Sequence, residues 1–172
     1  MASAFALNDH YQARVRTPFG MFGVRVESDV VSEMVFLPKS VSTLLPQNRL
    51  AEKAVVQIER YLADPEFRFG LPLMKRGTEF QRRVWDAISA IPSGNTLSYG
   101  AIAKQLRSGP RAVGQACGAN WYPLVIPCHR VVASRGIGGF ANQDEGFHLS
   151  IKRWLLQHEG SAAHGRSQRR AA

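Results

Sequence analysis

Apolar and polar residues alternate along the first part of the chain and then give way to helical spacing. Tyr11, Ala13 and Val15 are separated by polar neighbours, and Thr17-Pro18-Phe19-Gly20 supplies a turn. Val24-Arg25-Val26-Glu27 alternates again, Ser28-Asp29 marks a second turn, and Met34-Val35-Phe36-Leu37 makes a third strand ended by Pro38. Residues 11–37 are therefore predicted as β-structure. Leu50, Ala54, Ile58 and Leu62 then recur every four residues, which predicts an amphipathic helix over about 47–63, stopped by Asp64-Pro65. This half reads as a small antiparallel sheet carrying a helix, an α/β domain without a catalytic constellation.

The second half changes character. Thr78-Glu79-Phe80-Gln81 matches a capping box, with Thr78 as N-cap and Gln81 three residues on. Phe80, Val84, Ile88 and Ile91 follow on one helical face, which ends at Pro92-Ser93-Gly94-Asn95. Ser98 caps a shorter helix through Tyr99, Ile102, Ala103 and Leu106. Ser108-Gly109-Pro110 breaks the chain, and Arg111-Ala112-Val113-Gly114-Gln115-Ala116 opens another helix with proline near its start. Two short helices about a glycine-containing turn outline a helix-turn-helix in a mostly α, winged-helix-like domain. Ala112, Gly114, Ala116 and Gly118 let the second helix approach another backbone closely, either inside the protein or on a partner. Ser134-Arg135-Gly136-Ile137-Gly138-Gly139-Phe140 is a glycine-rich loop without the Gly-Lys-Ser/Thr of a phosphate loop. Ile151, Trp154 and Leu155 mark a final helix reaching Glu159 and stopping at Gly160. The predicted domains are 1–74 and 75–160, with 161–172 as a disordered basic tail.

Charge divides as sharply as pattern does. Residues 1–72 carry eight basic and eight acidic side chains, whereas residues 73–172 carry fourteen and five, so the second part holds the whole net charge of +9. Arg166, Arg169 and Arg170 belong to the tail, which leaves the folded part at +6. Such asymmetry points to a polyanionic partner, nucleic acid first, against the plainer reading of a solvated basic face. No apolar run approaches the ~20 residues that span a bilayer, and Met1 to Leu7 lacks a basic n-region, so neither membrane nor signal peptide is expected. The two cysteines, Cys117 and Cys128, make no disulfide framework and suit a reducing cytoplasm.

Chemistry concentrates in Leu124-Val125-Ile126-Pro127-Cys128-His129-Arg130-Val131-Val132. A thiolate is the nucleophilic form of cysteine, and the free thiol ionises at about 8.5. His129 and Arg130 favour the anion if the fold turns them towards the sulfur. The competing reading is a buried strand that contains a cysteine, although Pro127 lacks a ladder donor. A Cys-His pair also needs a group to orient the imidazole, and Glu159 is the carboxylate expected there. Zinc held by Cys117, Cys128 and His129 is the rival chemistry, but the eleven-residue step fits none of the usual spacings. No metal is expected.

Pro127-Cys128-His129-Arg130-Val131-Val132 resembles the active-site signature of the O6-alkylguanine-DNA alkyltransferases, the methylated-DNA–protein-cysteine methyltransferases. Ser98-Tyr99, Arg111-Ala112-Val113-Gly114, Asn120 and Trp154-Leu155-Leu156 leading to His158-Glu159-Gly160 recur in family order. The resemblance covers about 78–160 strongly. Over 10–72 it rests on Thr17-Pro18-Phe19-Gly20 and the sheet-plus-helix outline.

That resemblance implies a mechanism. Cys128 as thiolate attacks the alkyl carbon on O6 of guanine, His129 accepts the thiol proton through a water, and Glu159 orients His129. Asn120 braces the active-site turn, and Arg130 joins the polar network behind it and stands among the DNA-binding residues. Tyr99 bonds the guanine and donates a proton to the leaving base. Arg111 acts as an arginine finger beside a flipped-out nucleotide, and Ala112, Gly114 and Gln115 share the helix that enters the minor groove. Tyr99, Val131, Phe140 and Ala141 line the substrate pocket. The thioether product is not reversed by thiol exchange, so the protein is consumed in one event and needs no cofactor. A monomer acting on duplex DNA that contains O6-alkylguanine is the implied state.

Phe140 replaces the family's usual tyrosine, the link from Ala141 to Ser150 is longer than usual, the turn between Tyr99 and Arg111 is about two residues shorter, and the zinc ligands of some relatives are missing. Two other classes compete: a recognition-only relative, which would lack the reactive cysteine kept here as Cys128, and an unrelated cysteine hydrolase with an incidental basic face.

Overall fold

The computed structural model describes residues 10–139 and 146–160. The chain divides into two compact units. One runs to Arg76 and includes Trp121–Pro123; the other comprises Gly77–Asn120 and continues from Leu124. The sequence placed a single boundary at 74/75, and nothing in its pattern marked the three-residue return to the first unit.

The first unit is an antiparallel sheet in the order β1 (Ala13–Thr17), β2 (Gly20–Glu27), β3 (Val30–Leu37), with helix α1 (Arg49–Ala63) packed on it. Ser28 and Asp29 both have positive φ, 44° and 64°, which makes the two-residue loop that matches the twist of a hairpin. Pairing Glu27 with Val30 makes β3 four residues longer than the apolar run alone predicts. Register puts Met21 opposite Leu37 and Phe22 opposite Phe36, so successive residues of β2 face opposite sides of the sheet. Tyr11, Met21 and Leu37 form a core on one side, and Tyr11 lies so close over Gly23 that a Cβ there would sit 2.7 Å from its ring.

Asn48 caps α1, its side chain accepting from the Ala51 amide at 2.8 Å. The buried face of α1 is Ala51, Ala54, Gln57, Ile58 and Tyr61, which keeps Ala54 and Ile58 of the expected ladder and leaves out its ends, Leu50 and Leu62. A four-residue step advances about 40° beyond a full turn, so a strict ladder walks off the buried face within three steps. Leu50 and Leu62 are only half-buried.

The second unit begins with α2 (Glu79–Ser89), opened by the expected capping box between Thr78 and Gln81. Val84, Trp85 and Ile88 are buried, and Trp85 Nε1 donates to the Ala116 carbonyl at 2.8 Å, fixing α2 to α4. β4 (Leu97–Ser98) leads directly into α3 (Tyr99–Leu106), capped by Ser98. Arg107 ends α3 in the left-handed region at φ 53°, Gly109 caps the next helix, and Pro110 is its first residue, giving α4 (Pro110–Gly118). A 3-10 turn at Cys128–Arg130 precedes β5 (Val131–Val132), which pairs in parallel with β4. Helix α5 (Phe147–His158) closes the unit. No helix among the described residues is long and apolar enough to cross a membrane. The expected disordered tail lies outside the described residues.

Candidate active site around Cys128

Cys128 is not in a strand. Leu124 adopts φ 73°, unusual for a non-glycine residue, and turns the chain into the loop that delivers Pro127. The Pro127 carbonyl then accepts from the Arg130 amide at 2.9 Å, and the Cys128 carbonyl from that of Val131. This single 3-10 turn sets Cys128 and His129, each almost fully buried, at the start of β5.

Asn120 follows the end of α4. Its side-chain amide donates to the Ile126 carbonyl at 2.9 Å and to Cys128 Sγ at 3.2 Å. One side chain thus ties the loop before the cysteine to the sulfur itself. On the far side of the turn, His129 Nε2 lies 2.8 Å from Glu159 Oε1. Arg130 grips the same carboxylate through Nε to Oε2 at 3.0 Å and Nη2 to Oε1 at 2.8 Å, while its Nη1 donates to the Ile91 carbonyl at 2.6 Å. Glu159 itself caps the C-terminus of α5. The guanidinium is therefore committed to the buried network, and the expected Arg130 contact with DNA is dropped for that reason.

Electrostatics sharpen the roles. Burial alone would raise the Glu159 pKa, but the bonds from His129 and Arg130 outweigh it and hold the carboxyl well below the ordinary range. Burial pushes His129 down despite Glu159, so the imidazole is neutral at neutral pH. With Nε2–H donated to the carboxylate, Nδ1 carries the lone pair and is the basic nitrogen. The Cys128 thiol is raised well above its usual value, by a hydrogen bond with Cys117 and by burial, against the opposing influence of Asn120 and Lys152. His129 and Arg130 favour the thiolate on the condition that they face the sulfur; here Glu159 engages both, and burial keeps the resting thiol protonated.

Tyr99 begins α3, and its hydroxyl donates to the Gly139 carbonyl at 3.2 Å. It packs over Gly114 of α4, and a Cβ on Gly138 would come within 3.0 Å of its ring and of the Ala133 nitrogen. Arg111 is exposed in the first turn of α4, with Ala112 and Gly114 half-buried and Gln115 exposed on the same helix. The side chain of Val131 is wholly buried, so near the site this residue offers its carbonyl. Phe140 and Ala141, expected to line the pocket, lie outside the described residues.

Lys152 escaped the sequence reading. It is completely buried on α5, donating through Nζ to the carbonyls of Val131 at 2.6 Å and Gly139 at 2.8 Å, with the ammonium 5.7 Å from the Tyr99 ring centroid. Burial lowers its pKa to about 8, opposed by the two cysteines. The signal was its spacing: Leu149, Lys152, Leu156 and Glu159 share one face of α5. A lysine on the inward stripe of a helix needs a partner, and here two loop carbonyls supply it.

A buried thiol beside an amide donor, and an imidazole locked by a carboxylate, bring a cysteine and a candidate base together on one turn of chain. The comparisons place the protein more narrowly. Residues 79–161 match the family model for the DNA binding domain of 6-O-methylguanine DNA methyltransferase. A methylated-DNA–protein-cysteine methyltransferase of Mycobacterium bovis is 35% identical over 161 residues, covering 90% of this chain and 94% of that protein. The solved Mycobacterium tuberculosis O6-methylguanine methyltransferase superposes with a TM-score of 0.72 at 34% identity, over 87% of this chain and 92% of the other. The Mycobacterium tuberculosis OGT in complex with DNA gives 0.73 at 33% identity, over 88% and 93%. The chain belongs to the methylated-DNA–protein-cysteine methyltransferase family.

Proposed function

We propose that this protein repairs DNA directly, moving an alkyl group from O6 of guanine in duplex DNA onto Cys128 and being consumed in the act. The observation that carries the reading is the arrangement about one 3-10 turn, with Asn120 on the sulfur and Glu159 on the adjacent imidazole. His129 Nδ1 takes the thiol proton through a water, and the resulting imidazolium is stabilised by Glu159. Sulfur attacks the alkyl carbon, the C–O6 bond breaks, and Tyr99 donates a proton to the departing guanine. The C–S bond formed has no route back by thiol exchange, which makes the protein a stoichiometric reagent.

Residues 75–160 carry both alkyl acceptance and DNA binding, with α3 and α4 as the helix-turn-helix of a winged-helix-like domain. The small residues of α4 enter the minor groove, where base readout is poor, and Arg111 fills the gap left by a flipped nucleotide. The supporting role falls to the first unit, which runs to Arg76 and includes Trp121–Pro123. The protein acts as a monomer in the cytoplasm and needs no cofactor.

The test is incubation with a duplex oligonucleotide carrying O6-methylguanine, followed by intact mass and peptide mapping. The expected result is one methyl group on Cys128 and no turnover beyond one equivalent. Cys128→Ala abolishes transfer and retains binding to the duplex. Clearance of the lesion by Cys128→Ala would remove Cys128 as the nucleophile, and binding without modification of the wild type would leave a recognition protein.

A further inference from the structure

Arg130 and Glu159 are supported by a segment that has no part in the proposed transfer. Between α2 and β4 the chain reverses through Pro92, Ser93, Gly94 and Asn95, and the Asn95 amide donates to the Pro92 carbonyl at 3.1 Å. Gly94 has φ 83° at the third position, as in a type II turn, which takes glycine or asparagine there. Ile91, just before the turn, is 3% exposed, and its carbonyl accepts from Arg130 Nη1 at 2.6 Å. Gly94 is exposed, yet one side of it is closed. A Cβ built on it would lie 3.1 Å from the backbone carbonyl oxygen of Glu159. Among the described residues, and apart from the neighbours of Gly94 in the chain, that oxygen is the one heavy atom such a Cβ would meet within 4 Å.

Glu159 is thus met from two directions. Arg130 grips its carboxylate and is itself pinned to Ile91, while the Gly94 backbone sits against its carbonyl in the cap that ends α5. A displaced helix end carries its side chain with it, and this side chain ends 2.8 Å from His129 Nε2. Carbon ordinarily approaches a carbonyl oxygen to about 3.3–3.6 Å, so a Cβ on Gly94 would push the end of α5 away by a few tenths of an ångström. We propose that the turn at 91–95 is a positioning element for the Glu159–His129 pair, and that Gly94 is a positioning residue whose missing side chain lets α5 end where its carboxylate meets the imidazole. The effect on rate rests on His129 as the proton acceptor in the proposed transfer. A misplacement of ~1 Å costs roughly 100-fold in rate, so a shift of a few tenths of that costs roughly 3–10-fold.

Gly94→Asn is the deciding variant. Asparagine accepts a positive φ, so the turn survives, but it brings the Cβ. Gly94→Ala brings the same Cβ and strains the turn as well. Rate constants for single-turnover transfer are measured on the full chain at saturating O6-methylguanine duplex and with free O6-benzylguanine, beside thermal melts. Unfolded protein lowers the amplitude of a single turnover and leaves its rate constant. In Gly94→Asn both constants fall together by roughly 3–10-fold, with a melting temperature close to that of the wild type. In Gly94→Ala the constants fall as far, and the melting temperature falls too. In protein carrying isotopically labelled histidine, the His129 Nε2 proton is shifted downfield by its bond to Glu159 and moves upfield in both variants, which a mere loss of stability would not cause. Wild-type rate constants in Gly94→Asn, a loss confined to the duplex substrate, or an unmoved His129 proton would overturn the proposal. The resonance is read without any alkyl transfer. A wild type that accepted no alkyl group would therefore count against the functional reading, while the proton shift still decided whether Gly94 positions Glu159.

Discussion

Replacing Glu159 with Gln puts the most weight on the site. The side chain keeps its shape and loses its charge, which three bonds from His129 and Arg130 meet at 2.8, 3.0 and 2.8 Å. Arg130 cannot swing away cheaply, because Ile91 holds its remaining terminal nitrogen at 2.6 Å. The variant therefore keeps a partly buried guanidinium without its anion, a situation that costs roughly 3 kcal/mol. At 2–4 °C per kcal/mol for a chain of this size, the melting temperature should fall by roughly 6–12 °C. The Glu159 pKa is depressed on folding, so its stabilisation is complete above the unfolded value of about 4.3 and fades as pH falls below it. The gap between wild type and variant should therefore close on acidification. Transfer should suffer separately, since Gln can present its NH2 to Nε2 and leave the proton on Nδ1, the nitrogen needed as base. A loss of about 10²–10⁴-fold is expected. Single-turnover transfer from an O6-methylguanine duplex, beside thermal melts from pH 3 to 8, reads both effects. Wild-type transfer together with an unchanged melting temperature would refute the network as both support and base-orienter.

Lys152→Met tests the buried ammonium. Its folded pKa of about 8 lies below the ordinary value, so charge on Lys152 costs stability at lower pH, and that cost lifts as pH rises from about 8 to 10.5. Chemical denaturation of both proteins across that range should show the wild type gaining on the variant, while transfer by the variant slows as Cys128 loses a nearby cation; parallel curves would remove the assignment. Gly138→Ala should destabilise the loop by about 1–3 kcal/mol, because Gly138 has φ 71° and its Cβ would crowd Tyr99 and Ala133. Circular dichroism melts and single-turnover rates should fall together, and a variant equal to wild type in both would show that the loop gives way freely. Arg111→Ala should impair transfer from duplex far more than transfer from free O6-benzylguanine, and equal losses would sink its role beside a flipped base.

The elements that read clearly were those whose signals are local. The Thr78–Gln81 capping box, Ser98, the Gly109-Pro110 break and Asp64 act within one turn of chain, and each bounds a helix where expected. What stayed hidden depends on packing across long separations. The buried face of α1 turned on how a helix meets a sheet, and the extra length of β3 on its hairpin partner. Glu159 could be suspected from the scarcity of acids, but its distance from His129 is a tertiary fact. Lys152 was legible in principle, as a charge on an apolar stripe, and was passed over because the stripe was traced through Ile151 and Leu155. Whether His129 and Arg130 face the sulfur stayed open, because adjacency in sequence is not adjacency in space.

Trp121–Pro123 bear on whether the protein could be handled as interchangeable modules. The Trp121 carbonyl accepts from Met34 at 2.9 Å, Arg76 lies over the indole at 4.2 Å, and Tyr122 donates to the Met74 carbonyl. A cut after Arg76 therefore yields two fragments of which neither is whole: the first lacks a hydrogen-bond acceptor for its own strand, and the second exposes an indole and a phenol only five residues before Pro127-Cys128. Grafting, swapping or splitting the chain at its apparent boundary would be penalised, and selection would act on the two halves as a single heritable piece.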